Sequence, residues 1–196
     1  MGLVSSVTKV IGKFSIENND RGYNAVPMKK KFAVFATVLA SLAAAAQQPT
    51  LASPLLDHLA GHWVLRGTIA GKPTTHDVDA EWVIQHQYLR LHEVSQEQNT
   101  KRQPQYEAMI FIGWNQTPKT YTCVWLDVYG GASIASLGIA EPSDNQLRFI
   151  FKDEKGEVSF HNDFVYNPTT DTWEWRMDNI DKGVAKPFGR VKLTRK

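Results

Sequence analysis

Six histidines are the first residues in this sequence to invite chemistry, because imidazole is both a base near neutral pH and the commonest metal ligand. By strand parity His76 alone falls with an apolar set, alongside Trp82 and Ile84, whereas His92 goes with Arg90 and His161 with Ser159 and Asp163. His58 and His62 stand four apart, but Gly61 interrupts the helix that would align them, and no carboxylate sits where a zinc protease needs one. No metal site is expected, and His76 is the best-placed axial ligand if a haem were bound. Nucleophiles are no better provided: there is no Gly-x-Ser-x-Gly, and Cys123 lies mid-strand among aromatics, where a cysteine is an inert small hydrophobe. Asp127, Asp163, Glu174 and Asp178 lie near strand ends and fit either paired acid and base groups or solvated sheet faces. No catalytic residue is assigned.

Aromatic side chains are the stronger signal. Trp82, Tyr106, Trp125, Phe149, Phe164, Trp173 and Trp175 fall on inward faces and could line one cavity, with Asp127 and Asn162 as polar anchors. Each also fits plain core packing. Aromatic walls with a few polar groups are what small-molecule sites are made of, so the expected partner is a small apolar or amphipathic ligand, and no cofactor is expected.

These residues need a scaffold of short strands. Ser53 can cap a helix over Ser53 to Ala60, with Pro54 at its first position and Gly61 ending it. Trp63, Leu65, Gly67 and Ile69 then alternate as a strand. A turn is expected at Ala70 to Pro73, a second strand over Thr74 to Gln85, and a third over Tyr88 to Val94 with Leu89 and Leu91 inward. Ser95 to Pro104 is polar and aperiodic, hence a loop. Tyr106 to Tyr129 reads as a hairpin turning at Asn115 to Lys119, apolar on both faces. Ala132 to Ala140 reads as a small-residue strand and Gln146 to Lys152 as another. Two more carry Val158 to Tyr166 and Trp173 to Met177; a loop over Asn179 to Lys186 leads to Val191, Leu193 and Arg195. About ten short strands at regular spacing predict an all-β antiparallel barrel; a two-sheet sandwich with a filled core is the alternative.

The N-terminal part stands apart from this domain. Met28 to Lys31 is a basic start, Phe32 to Leu42 an apolar run and Ala44 to Ala46 a small-residue cleavage pattern, so residues 28–46 read as a secretory signal peptide and 1–27 as lying upstream of the true start. The apolar run is shorter than the roughly 20 residues of a membrane span, so no stable anchor is expected after cleavage. The six basic and two acidic residues of 1–46 account for the positive balance, and without them the formal charge moves from +2 to about −2. No basic patch remains for nucleic acid. Residues 47–196 should form one domain, periplasmic or secreted, whose sole cysteine makes no internal disulfide.

The residues Leu59-Ala60-Gly61-His62-Trp63, Glu81-Trp82-Val83, Gly113-Trp114-Asn115, Trp125-Leu126-Asp127 and Asp171-Thr172-Trp173-Glu174-Trp175 resemble a bacterial family of secreted lipocalin-like (calycin) β-barrels that carries only a domain-of-unknown-function label. The resemblance extends over most of residues 47–196. It implies a barrel closed at one end by the N-terminal helix and a Trp63 plug, and it supplies no activity. It also leads one to expect tyrosine at 114, where the larger Trp114 would narrow one end of the cavity. Arginines of the last strand in such barrels cover the plug tryptophan, which makes Arg195 either that lid or a frayed penultimate residue. The intact mass of the protein recovered from outside the cytoplasm of its host should begin at Gln47; a mass retaining residues 28–46 would overturn the signal assignment.

Overall fold

The computed structural model describes residues 54–196, so the expected leader and the residues before it lie outside the described residues. Helix α1, Pro54–Leu59, precedes ten strands: β1 Gly61–Ile69, β2 Lys72–Val83, β3 Tyr88–Ser95, β4 Glu107–Asn115, β5 Thr120–Asp127, β6 Leu137–Ala140, β7 Gln146–Lys152, β8 Val158–Asn167, β9 Thr172–Asp181 and β10 Val184–Arg195. Every strand pairs antiparallel with its sequence neighbours, and β1 also pairs with β10, closing the barrel. The alternation seen in sequence is the alternation of burial: Leu89 and Leu91, Ala108, Ile110 and Ile112, Leu147 and Phe149, and Trp173 and Trp175 all face inward. Side chains of period two can fill a lumen on one face and meet solvent on the other, and closure leaves no unpaired edge.

At the seam, Trp63 of β1 lies opposite Arg195 of β10, and the guanidinium carbon sits 3.8 Å from the indole centroid. Trp63 is fully buried and donates its Nε1–H to the Leu59 carbonyl at 2.8 Å. Arg195 reaches on to the Ala60 carbonyl at 2.7 Å, the His58 carbonyl at 3.0 Å and Asp171 at 2.9 Å. It therefore holds the C-terminal end of α1, whose orphan carbonyls need donors, as well as the plug. Gly61 makes room for this: its φ is +129°, and a Cβ there would collide with the Arg195 guanidinium. The frayed alternative for Arg195 is thus set aside.

Several boundaries differ from the sequence reading. Asn179 to Lys186 is not a loop; β9 and β10 run on to Asp181 and from Val184, joined by Lys182 and Gly183, both at positive φ as a two-residue primed turn requires. Pro73 lies inside β2, opposite Thr68 and past the last β3 pair at His76 and Ser95, so one flank of it has no ladder to satisfy. The second strand ends at Val83: Ile84, Gln85 and His86 take positive φ, and Ile84 is exposed rather than inward. Ala132 to Ser136 is not strand either, since Ser133 caps a single 3-10 turn over Ile134–Ser136 and only Leu137–Ala140 pairs. Both faces of the β4–β5 hairpin are apolar as expected, with Leu126 among the exposed large hydrophobics.

The Asp171 carboxyl is held below the ordinary aspartate range, chiefly by its hydrogen bond from Arg195, with the Tyr166 hydroxyl also lowering it and burial opposing. A carboxyl whose folded pKa is depressed adds stability that is complete above the unfolded value, about 4, and is lost as pH falls through the folded one. Arg195→Ala should lower the unfolding free energy by about 1 to 2 kcal/mol at pH 7. In urea titrations from pH 6 down to 3, the gap between wild type and variant should narrow toward the acid end, leaving the part due to the Trp63 and backbone-carbonyl contacts, which do not titrate.

Candidate functional site

The two ends of the barrel differ. At the end carrying α1 the lumen is packed solid: Leu55, Leu56 and Leu59 of the helix are buried with Trp63, Leu65 and Leu193. Trp173 is fully buried there, its ring tilted against Tyr166 at 5.0 Å, with its Nε1–H toward the His58 carbonyl at 3.4 Å. Trp82 is at this end too, donating to Asp57 of α1 at 2.9 Å and stacking on His86 at 4.1 Å. Neither tryptophan lines a cavity with the others expected of it. Trp114, half-buried, meets Tyr121 edge-on at 4.9 Å beside the β4–β5 turn, so it narrows no cavity. His58 stacks on Tyr166 and His62 contacts Asp79 on the exposed surface, which removes both from any shared ligand site. Cys123 is fully buried in the packed region, and burial pushes its thiol pKa upward, as an inert core residue requires.

A middle layer of aromatics forms the floor of the open half. Phe149 meets Phe164 edge-on at 6.0 Å, Phe164 stacks on Trp175 at 4.3 Å, and Trp175 lies 5.5 Å from Trp125. Phe149, Phe164 and Trp175 are fully buried core. Trp175 donates its indole N–H to Asn162 Oδ1, which fixes the Asn162 amide with Nδ2 on its free side.

Above that floor, toward the β1–β2, β5–β6 and β9–β10 turns, lies a cavity of about 540 Å³. Trp125, Phe151, Phe160, Met177 and Phe188 supply its apolar wall. His76, Glu93, Glu97, Tyr106, Asp127 and Asn162 supply its polar one. Of the residues expected to bind a ligand, four reach this space: Tyr106, Trp125, Asp127 and Asn162.

The polar groups form two connected sets. His76 Nδ1 lies 2.5 Å from Glu93 Oε1, both side chains almost fully buried, and His76 Nε2 lies 2.7 Å from Thr74 Oγ1. Both ring nitrogens therefore have partners, and His76 is held as a hydrogen-bonded bridge. Its ring stacks against Tyr106 at 5.6 Å. The Tyr106 hydroxyl accepts from Trp125 Nε1 at 3.0 Å and points at Asp127 Oδ2 at 3.5 Å. Burial first, then the negative charge of Glu93, raises the Tyr106 pKa far above its ordinary value, so the phenol keeps its proton and remains a donor. Glu93 Oε2, Glu97 Oε2 and Asn162 Nδ2 are buried atoms with no hydrogen-bond partner among the described residues.

Glu93 was the residue sequence reasoning missed. Its signal was present in the parity of β3: Leu89, Leu91, Glu93 and Ser95 share one face, and all four are buried. Ending the strand at Val94 and reading only its apolar members hid a buried carboxylate. Replacing His76 with Leu alone leaves Glu93 buried without its partner and should cost about 3 to 5 kcal/mol in urea unfolding. His76→Leu with Glu93→Leu should cost much less than the two single changes together; strict additivity would show that the two side chains do not interact.

Comparison of the chain with protein-family models and with curated proteins returned no match in either case.

Proposed function

We propose that the protein is a secreted or periplasmic lipocalin-like (calycin) barrel that reversibly binds a small apolar or amphipathic molecule, α1 and Trp63 closing one end of the lumen and the ligand entering from the other. The observation that carries this is the cavity of about 540 Å³ opposite the plug, inside the range of ordinary small-molecule sites and walled by aromatics with a few fixed polar groups. Three features support it. The floor at Trp175 and Phe164 is packed and rigid, so the wall above it is preformed and ligand ordering costs little. The polar groups are held by one another: His76 by Glu93 and Thr74, Tyr106 by Trp125 and Asp127. Glu93, Glu97 and Asn162, each with a buried polar atom that has no partner among the described residues, line a space large enough for a molecule that completes their hydrogen bonds. No cofactor enters this reading.

A second reading, hydrolysis, has one observation in its favour. Thr74 Oγ1, His76 and Glu93 follow each other in the hydroxyl, imidazole, carboxylate order of an activated nucleophile, at 2.7 and 2.5 Å. Threonine carries a β-methyl that crowds such an attack, and the same bonds serve equally to hold His76 in the wall.

The neutral probe N-phenyl-1-naphthylamine should brighten on mixing with the protein and reach saturation. Ser159→Trp, which adds bulk at a half-buried wall position, should abolish that signal while leaving the far-ultraviolet circular dichroism unchanged. The wild-type protein should not turn over a p-nitrophenyl ester of similar size; turnover lost in Thr74→Val would instead establish the hydrolytic reading.

A further inference from the structure

Building on the cavity-binding reading, we propose that the site selects a cationic head group, an alkyl or aryl amine protonated at neutral pH, with Glu93 as its principal partner and the aromatic wall around its apolar body.

Glu93 is 1 % exposed, and only one of its two carboxylate oxygens is used: Oε1 meets His76, while Oε2 has no partner among the described residues. Glu97 repeats the pattern at the same cavity. Its Oε1 accepts the Thr75 backbone N–H at 2.9 Å, and its Oε2 is a buried atom without a partner. Carboxylate oxygens only accept, so both can be satisfied from the cavity by nothing but donors, and an ammonium group brings up to three N–H bonds on one atom. A carboxylate left half-paired in a poorly solvated wall is expensive, and a ligand that completes its hydrogen bonds recovers that penalty as affinity.

Charge decides between a cation and a neutral donor such as an alcohol. Three carboxylates line the cavity, on Glu93, Glu97 and Asp127, against two basic groups, Lys72 and His76. Lys72 is exposed at the β1–β2 turn, and His76 is already committed to Glu93. The upward push that Glu93 and Asp127 exert on the Tyr106 phenol reflects the same negative potential inside the cavity. Tyr106, Trp125, Tyr129, Phe160 and Phe188 present ring surface to that space, and ring faces attract cations. An anionic amphiphile such as a fatty acid meets the opposite situation, a like charge facing three carboxylates with no buried cation to receive it. Asn162 Nδ2, an amide nitrogen without a partner among the described residues, offers N–H donors, which suits an amine whose apolar body also carries a carbonyl or hydroxyl oxygen.

The test is calorimetric titration of the full chain at pH 7 and low salt with octylamine, octanol and octanoate, each below its aggregation concentration. Octylamine should bind about tenfold tighter than octanol, with octanoate weakest. Glu93→Gln keeps the side-chain shape and should erase the preference for amine over octanol; Glu97→Gln should reduce the preference partially. Equal affinity for all three, or tightest binding of octanoate, would overturn the amine assignment and leave the binding cavity standing. Failure of all three to bind would overturn the cavity reading itself. The comparison among ligands on the wild-type protein stands even if the Glu93 variant does not fold.

Discussion

A ten-stranded sheet becomes a barrel only if its first and last strands find each other, and here that seam carries the arginine over the plug tryptophan. Trp63 and Arg195 are direct cross-strand partners 132 positions apart, whereas the other strand pairs among the described residues are all sequence neighbours. The guanidinium serves three purposes at once. It covers an indole that would otherwise end the core, supplies donors to the last carbonyls of α1, and reaches Asp171 in the turn before β9. Closure, helix docking and the β8–β9 turn are thereby coupled through one side chain. That coupling requires a residue without a Cβ at position 61, which is why the break between helix and strand is a glycine.

The lumen divides into two environments. Trp173, Phe149, Phe164 and Trp175 take up the space nearest the plug and in the middle, where close-packed apolar side chains contribute most to stability. The opposite end of the barrel is left open. There the side chains turn polar, and their bonds run along the wall from Thr74 to His76 to Glu93 and from Trp125 to Tyr106 to Asp127. Polar groups buried beside a cavity are costly to maintain, so natural interiors either satisfy them or use them. This barrel satisfies most of them internally and leaves buried atoms of Glu93, Glu97 and Asn162, all residues of the cavity wall, without a partner among the described residues.

The aromatic reading of the sequence named the inward faces but not the depth: Tyr106 and Trp125 reach the cavity, while Phe149, Phe164, Trp173 and Trp175 are buried core. Trp125 and Trp175 sit on inward faces of β5 and β9 and lie 5.5 Å apart, yet one borders the cavity and the other is floor. Parity assigns a side chain to the lumen; only the height of its strand position along the barrel axis assigns it to plug, floor or mouth, and height depends on register with neighbouring strands. Trp82 shows the same limit: its inward parity is real, but the β2–β3 turn brings it to Asp57 of the helix. Turn lengths were the other weak point. Lys182 and Gly183 make a two-residue turn inside a polar stretch that composition alone reads as an eight-residue loop, because hydrogen bonding between β9 and β10 outweighs poor strand propensity at Asn179 to Asp181.

Period-two alternation and the turn-forming residues between strands were enough to determine by themselves that residues beyond the helix would form an all-β antiparallel structure of about ten strands, since each is a local property of neighbouring residues. The pairing of β1 with β10, the contact of Arg195 with Trp63, the meeting of His76 with Glu93 and the division of the lumen into a packed and an open half were decided only by tertiary structure. Each depends on which residues of distant strands come level with one another, and level is set by the closure of the whole barrel rather than by any one strand.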